Sequence, residues 1–187
     1  MKKNSIILLV VLAILASIAI VFIGSYNGLV SKKEAVTQKY SDLDTTLQRR
    51  ADLIPNLVST VKGYTNHENE VIDKVTKARE NLVGAQSLEE KENANNELSN
   101  SLQALMVIVE NYPDLKSSEN FLNLQTELAG TENRIAVARR DYNNAVNSYN
   151  SSIKKFPTNI MAGMFGFGEE KYFEADVKAQ EVPSVNF

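Results

Sequence analysis

The chain has 187 residues, with 20 lysines and arginines against 23 acids for a net charge of -3, no cysteine and a single histidine. That balance excludes the strongly basic face of a nucleic-acid binder. The lack of cysteine excludes a disulfide framework, a thiol nucleophile, a cysteine-built metal site and a lipoprotein-type anchor, while the 8 glycines and 4 prolines are few enough to point to an all-helical chain.

The N-terminus, MKKNSIILLVVLAILASIAIVFIGSYNG, is apolar from Ile6 to Ile23 except at Ser17. As a helix this run covers about 27 Å, enough to cross a hydrocarbon core. Ser17-Ile18-Ala19 would suit signal-peptide cleavage, but the apolar run continues through Ile20, Val21, Phe22 and Ile23, where a signal peptide turns polar. Residues 1–25 therefore read as a retained anchor that meets the bilayer through residues 6–23. Lys2 and Lys3 lie nearer the run than Lys32 and Lys33 do at its other end. This favours an N-terminus inside the cytoplasm and a C-terminal domain outside it.

From Tyr26 the periodicity is helical. Leu29, Val36, Leu43, Arg50, Leu57 and Tyr64 fall seven apart, with Tyr40, Leu47, Ile54 and Val61 between them, a seam of 3.5-residue period that extends the anchor helix outward. Thr65-Asn66-His67-Glu68 and Ser87-Leu88-Glu89-Glu90 both read as capping boxes, each starting a shorter helix. The first carries Val71, Val75, Ala78 and Leu82; the second carries Leu98, Leu102, Leu105, Val109 and Tyr112. Pro113 breaks the chain within NYPDLKSSENF, and Ser117 or Ser118 can cap the next helix. That last long helix repeats the seam at Phe121, Leu128, Ile135, Tyr142, Tyr149 and Phe156, with Leu124, Ala138 and Ala145 between.

The fold class is thus all-α, an N-terminal transmembrane helix followed by an antiparallel up-and-down bundle of two long and two shorter helices over residues 26–156. The long helices reach about 55 to 60 Å and the short ones about 30 to 35 Å, which predicts a four-helix head on a two-helix stalk. If Tyr64 and Ser118 share one level, positions on the long helices whose numbers sum to about 182 are neighbours. Tyr40 then faces Tyr142, Leu47 faces Ile135, Ile54 faces Leu128, Val61 faces Phe121, and Arg50 faces Glu132.

The stretch RRADLIPNLV interrupts this pattern twice. Arg50 occupies a seam position, where an unpaired guanidinium would be costly, and Pro55 removes a hydrogen bond to the carbonyl of Ala51 and should kink the helix without ending it. Two readings stand. Arg50 and Glu132 form a register-setting polar pair, or Arg49, Arg50, Arg139 and Arg140 gather around the freed carbonyl as a binding notch.

Residues 157–187 begin with an apolar stretch, Ile160, Met161, Met164, Phe165, Phe167, Tyr172 and Phe173, too apolar for a solvated tail; beyond Ala175 disorder is expected. The apolar stretch either folds back along the base of the stalk or forms an interfacial or partner-binding element in which Met164, Phe165 and Phe167 make contacts.

Four blocks, QRRADLIPNLVSTVKGY, NYPDLKSSENFLNLQTEL, TENRIAVARRDYNNAVNSYN and FPTNIMAGMFGF, resemble the LemA family of bacterial membrane proteins, a likeness running from about Gly24 to the C-terminus. The resemblance implies an anchored helical bundle in the bacterial plasma membrane and carries no catalytic residues across. Because genes of the family often neighbour those of membrane-linked peptidases such as the HtpX type, it also hints at a membrane peptidase among the partners.

No catalytic constellation converges in the sequence. His67 reads as a solvated cap residue without metal-ligand companions, GMFGFG follows no strand and has no phosphate-binding lysine, and no Glu-x-x-His exists for a di-iron bundle. The expectation is a protein with no catalytic, cofactor or metal residues: a membrane-anchored scaffold or adaptor working through protein contacts. It would contact the bilayer, an unidentified membrane protein and, in one form, a second copy of itself, but no nucleic acid. The alternative is an accessory or regulatory subunit of a membrane peptidase or transporter.

Overall fold

The computed structural model describes residues 3–65 and 68–174. They form six helices and, among the described residues, no strand: α1 (Lys3–Lys62), α2 (Asn69–Gly84), α3 (Leu88–Val109), α4 (Pro113–Lys116), α5 (Glu119–Lys154) and α6 (Thr158–Phe165). The expected all-α chain with two long and two shorter helices is present, together with two small helices that the periodicity did not reveal. His67 and the expected disorder beyond Ala175 lie outside the described residues.

The described residues divide into two compact units, the first drawn from residues 1–40 and 141–172 and the second from residues 41–140 and 173–187. The second unit holds the main hydrophobic core. Ala51, Ile54, Leu57 and Val61 of α1 are buried with Ile72, Val75, Ala78 and Leu82 of α2, Leu98, Leu102, Leu105 and Val109 of α3, Leu115 of α4, and Phe121 and Leu128 of α5. The buried side of α2 contains Ile72, whereas the expected Val71 is only partly buried. Val71 and Ile72 lie four and three residues before Val75, so both flank the face of Val75, Ala78 and Leu82, and Ile72 is the one buried there.

Local chemistry sets the helix ends. At α3 the expected capping box forms: Glu90 N–H donates to Ser87 Oγ at 3.2 Å, and the Glu90 carboxylate accepts from the N–H groups of Ser87 and Gln86 at 3.2 and 2.7 Å. Those backbone donors hold the Glu90 carboxyl below the usual carboxylate range. The box expected at Thr65 does not form, because the Thr65 hydroxyl donates backward to the Val61 carbonyl at 3.2 Å. The Glu68 carboxylate is taken by the Tyr112 hydroxyl at 2.9 Å. With α1 ending at Lys62, Tyr64 falls outside the seam and is exposed. Pro113 ends up at the first position of α4, where its missing N–H is no loss, and Ser118 Oγ accepts from Phe121 N–H at 3.3 Å to start α5.

The first unit contains the surface that most needs explaining. The large apolar side chains from Ile6 to Val21, and Ile23, are 46% exposed or more, Phe22 is half-buried, and Leu29 on the same helix is 1% exposed. From Leu29 onward α1 pairs with the C-terminal half of α5. Leu29 and Val36 are buried, as are Val146, Tyr149 and Ile153, and Tyr40 meets Tyr142 at 6.0 Å between ring centroids. The α5 seam departs from the sequence reading at its end: Phe156 lies beyond the last helical residue and is 81% exposed, while Ile153 and Asn150 are buried instead.

Within each unit the register of α1 against α5 has the expected sum, with Tyr40 beside Tyr142 in one and Arg50 beside Glu132 in the other. Thiols in the variant Tyr40→Cys/Tyr142→Cys should therefore join readily on mild oxidation or with a short bis-thiol reagent. Tyr40→Cys/Gln125→Cys should stay unjoined, and the reverse outcome would remove this register.

Candidate interaction surfaces

Arg50 sits at a seam position of α1 and is only 4% exposed. Its guanidinium donates to Asn95 Oδ1 of α3 at 2.6 Å and meets the Glu132 carboxylate of α5 at 2.8 Å. Burial pulls the guanidinium below its ordinary pKa, and the Glu132 charge opposes that; it stays charged at neutral pH. The two partners are unequal. Asn95 is itself buried, whereas the Glu132 side chain is 54% exposed, so water screens the ion pair but not the amide bond.

Pro55 leaves α1 unbroken. The carbonyl of Ala51 that it frees accepts from Arg79 Nε of α2 at 3.1 Å. A buried carbonyl needs a donor, and the neighbouring helix supplies it, so the notch expected around a free carbonyl is corrected: the acceptor is already used. Arg49 bonds Glu127 at 3.2 Å on the surface. Arg139 and Arg140 follow Glu132 by two turns, about 10 Å along α5. Arg140 is exposed, and the charge of Arg139 acts on Glu92 of α3, whose carboxyl is pushed up chiefly by burial and further by Glu174.

Asn95 and Arg79 were overlooked in the sequence, yet both were legible. Asn95 begins a 3-4-3-4 spacing through Leu98, Leu102, Leu105 and Val109, and Arg79 stands in phase with Ile72, Val75 and Leu82. A polar residue in phase with a buried face is a candidate partner for another such residue.

An open groove of about 410 Å³ lies between α1 and α5 of this unit, lined by Asn56, Ser59, Thr60, Asn120, Asn123, Leu124 and Glu127. Apart from Glu127, its polar groups are amides and hydroxyls, suited to hydrogen bonding. No cluster of His, Cys, Asp or Glu that could hold a metal ion occurs among the described residues.

The apolar C-terminal stretch divides between two roles. Met161 in the first unit and Phe173 in the second are buried, whereas Ile160, Met164, Phe165 and Tyr172 of the first unit are exposed. Gly166 ends α6 in the left-handed region at φ 72, a conformation glycine adopts without steric penalty. Residues 167–172 then run back as a strap along α5. Its carbonyls accept from side chains of that helix: Tyr149 Oη donates to Gly168 at 2.9 Å, Asn150 Nδ2 to Glu170 at 2.8 Å, and Tyr142 Oη to Lys171 at 2.8 Å. Glu170 N–H donates in return to Asn150 Oδ1 at 2.9 Å, and its carboxylate pairs with Lys33 of α1.

That ion pair raises the Lys33 pKa, chiefly through its hydrogen bond. The Tyr142 hydroxyl is pushed up to about 12, first by burial and then by Glu170 and Tyr40, so it donates as a neutral phenol. The sequence reading that the stretch folds back holds for the strap. Phe165 and Phe167 contact Tyr26 instead, at 4.9 and 5.8 Å between centroids.

The unequal partners of Arg50 yield a ranking. Asn95→Ala should destabilise the protein by about 1.5 to 3 kcal/mol, because it strands a buried charged donor, while Glu132→Gln should cost about 1 kcal/mol or less. Urea unfolding of the two variants checks this, and a larger loss at Glu132 would contradict it.

Several known proteins align with most of the chain. Magnetosome proteins MamQ 1 and MamQ 2 of Paramagnetospirillum magneticum are each 29% identical over 197 residues, covering 91% of this chain and 72% of the relative. MamQ of Magnetospirillum gryphiswaldense is 26% identical over 201 residues, 92% of this chain and 74% of its own. Protein LemA of Metamycoplasma hominis is 29% identical over 159 residues, 83% and 71% respectively. None of these names is that of an enzyme. With the LemA family model matching residues 39–187, the chain belongs to the LemA family.

Proposed function

We propose that this protein is a membrane-anchored helical scaffold that works through protein contacts, with residues 6–23 crossing a bacterial plasma membrane once and the bundle held outside the cytoplasm. The observation that carries this reading is the contrast along α1. It is the one helix among the described residues long and apolar enough to cross a membrane, its N-terminal run is exposed as far as Val21, and the seam of its continuation is buried in protein. Apolar area of that extent is stable only under cover, and lipid covers a helix of this length on every face. The orientation rests on the lysines nearest the N-terminal end of the run.

The second unit supplies the contact surface. Its seam arginine and its proline-freed carbonyl are satisfied internally, while the groove of Asn56, Ser59, Thr60, Asn120 and Asn123 presents donors and acceptors to the outside. A surface of that kind suits recognition of a polypeptide by hydrogen bonding. The magnetosome names of three relatives agree with a membrane-associated protein.

A photo-crosslinking residue at Asn123 in intact cells tests the proposal. Adducts to several proteins or to a second copy, all recovered in the membrane fraction, are expected. One stoichiometric membrane peptidase or transporter would replace the scaffold by an accessory subunit, and no adduct above that from exposed Lys77 would remove the groove as a contact site.

A further inference from the structure

α6 carries no charged residue in its sequence TNIMAGMF. Two of its apolar side chains, Met161 and Ala162, are buried against the protein, and the others are left outside. Ile160 and Met164 stand four apart, and hence on one helical face; Phe156 lies in the turn just before α6, outside the helix. Phe156 and Met164 are 81% and 68% exposed. Charged groups flank the helix on both sides without entering it: Lys154 and Lys155 before it, Glu169, Glu170 and Lys171 after it.

The contacts of α6 fix its level along α1. Phe165 and Phe167 pack on Tyr26, which follows Ile23 by three residues, or about 4.5 Å of helix. The polar interface of a bilayer is about 5 to 8 Å thick on each side of its hydrocarbon core. Phe22, one turn before Tyr26 and still within the apolar run, is already half-buried, so the protein covers part of the last turn of the run. The aromatic cluster of Tyr26, Phe165 and Phe167 therefore falls where aromatic belts sit.

From this placement we infer that α6 is a second membrane contact: an interfacial helix that sinks Ile160, Met164 and Phe165, with the exposed Phe156 just before it, into the headgroup and acyl boundary beside the span. The inference rests on the reading of residues 6–23 as a bilayer span and adds to it. One span leaves the first unit free to tilt and rotate about the axis of α1. A second apolar contact, held to α5 through the strap, restricts both motions, and the pairing of Tyr26 with Phe165 fixes which side of α1 it lies on. The occupant is lipid, because Phe165 packs on Tyr26 within one turn of the end of the span and because the charges around α6 lie to either side of it, as in amphipathic elements that rest in an interface.

The chain contains no cysteine, so single labels are simple to place. Full-length Leu12→Cys, Gln38→Cys, Ile160→Cys and Met164→Cys, each carrying an environment-sensitive dye, would be placed in nanodiscs and quenched with aqueous iodide or with a lipid-borne nitroxide. Dyes at Ile160 and Met164 should show several-fold weaker iodide quenching than the dye at Gln38 and clear quenching from lipid. Iodide quenching equal to that at Gln38 would overturn the inference, as would shielding from both quenchers, which would mean that a second copy or another protein covers the face. The Leu12 dye separates the two claims. Lipid quenching there with water at Met164 sinks only the interfacial helix, while water at Leu12 sinks the span itself.

Discussion

An apolar helix surface cannot be left to water, and α1 offers such surface along nearly its whole length. Its first part is apolar on every side, and among the described residues none covers it before Phe22. From Leu29 the apolar positions narrow to a seam, and protein covers that seam wherever it continues. One covalent helix thus passes from an exposed apolar surface, the proposed span, to one that other helices cover. Much of the first unit depends on that transition. The α1/α5 pairing begins at Leu29, the strap lies along α5, and α6 packs near Tyr26, where the two kinds of cover meet.

The second unit shows how polar residues are admitted into a seam without weakening it. A buried guanidinium gains no stability over a well-packed apolar residue of similar size, so Arg50 is better explained as specifying which helices meet and in what register. Its two partners come from two different helices, Asn95 on α3 and Glu132 on α5, and a slip of either helix would strand a charge. Pro55 works with the same economy. It deprives Ala51 of its usual helical partner, and Arg79 of α2 supplies a replacement, which turns a local defect into a contact between helices.

Much of this was legible in the sequence. The seams of α1 and α5 repeat over enough turns for their phases to average out local noise, and the α1/α5 sum came from the distance of each seam to the distal turn. Arg50 was conspicuous because it stood in a long apolar series, and Glu132 came from the sum. What escaped lacked repetition. α2 is short, so Ile72 and Val71 could not be told apart, and Thr65 had two possible acceptors or donors for its hydroxyl within one turn. The strap is held through its main-chain carbonyls, which leave no side-chain pattern in residues 167–172. The helix-side donors Tyr142, Tyr149 and Asn150 did show in the sequence, but two of them resembled ordinary seam positions.

The proposed span and the first seam belong to one continuous helix, α1, with no break at their junction. Gly24 and Gly28 lie at that junction, and glycine weakens a helix by about 1 kcal/mol relative to alanine, so a hinge would form there if anywhere. Amide hydrogen exchange on the full-length protein in nanodiscs measures this directly. Slow exchange continuing without a gap from Ile6 through Val36 is expected; fast exchange confined to residues 24–28 would contradict a continuous α1 and make the bundle a flexibly tethered domain.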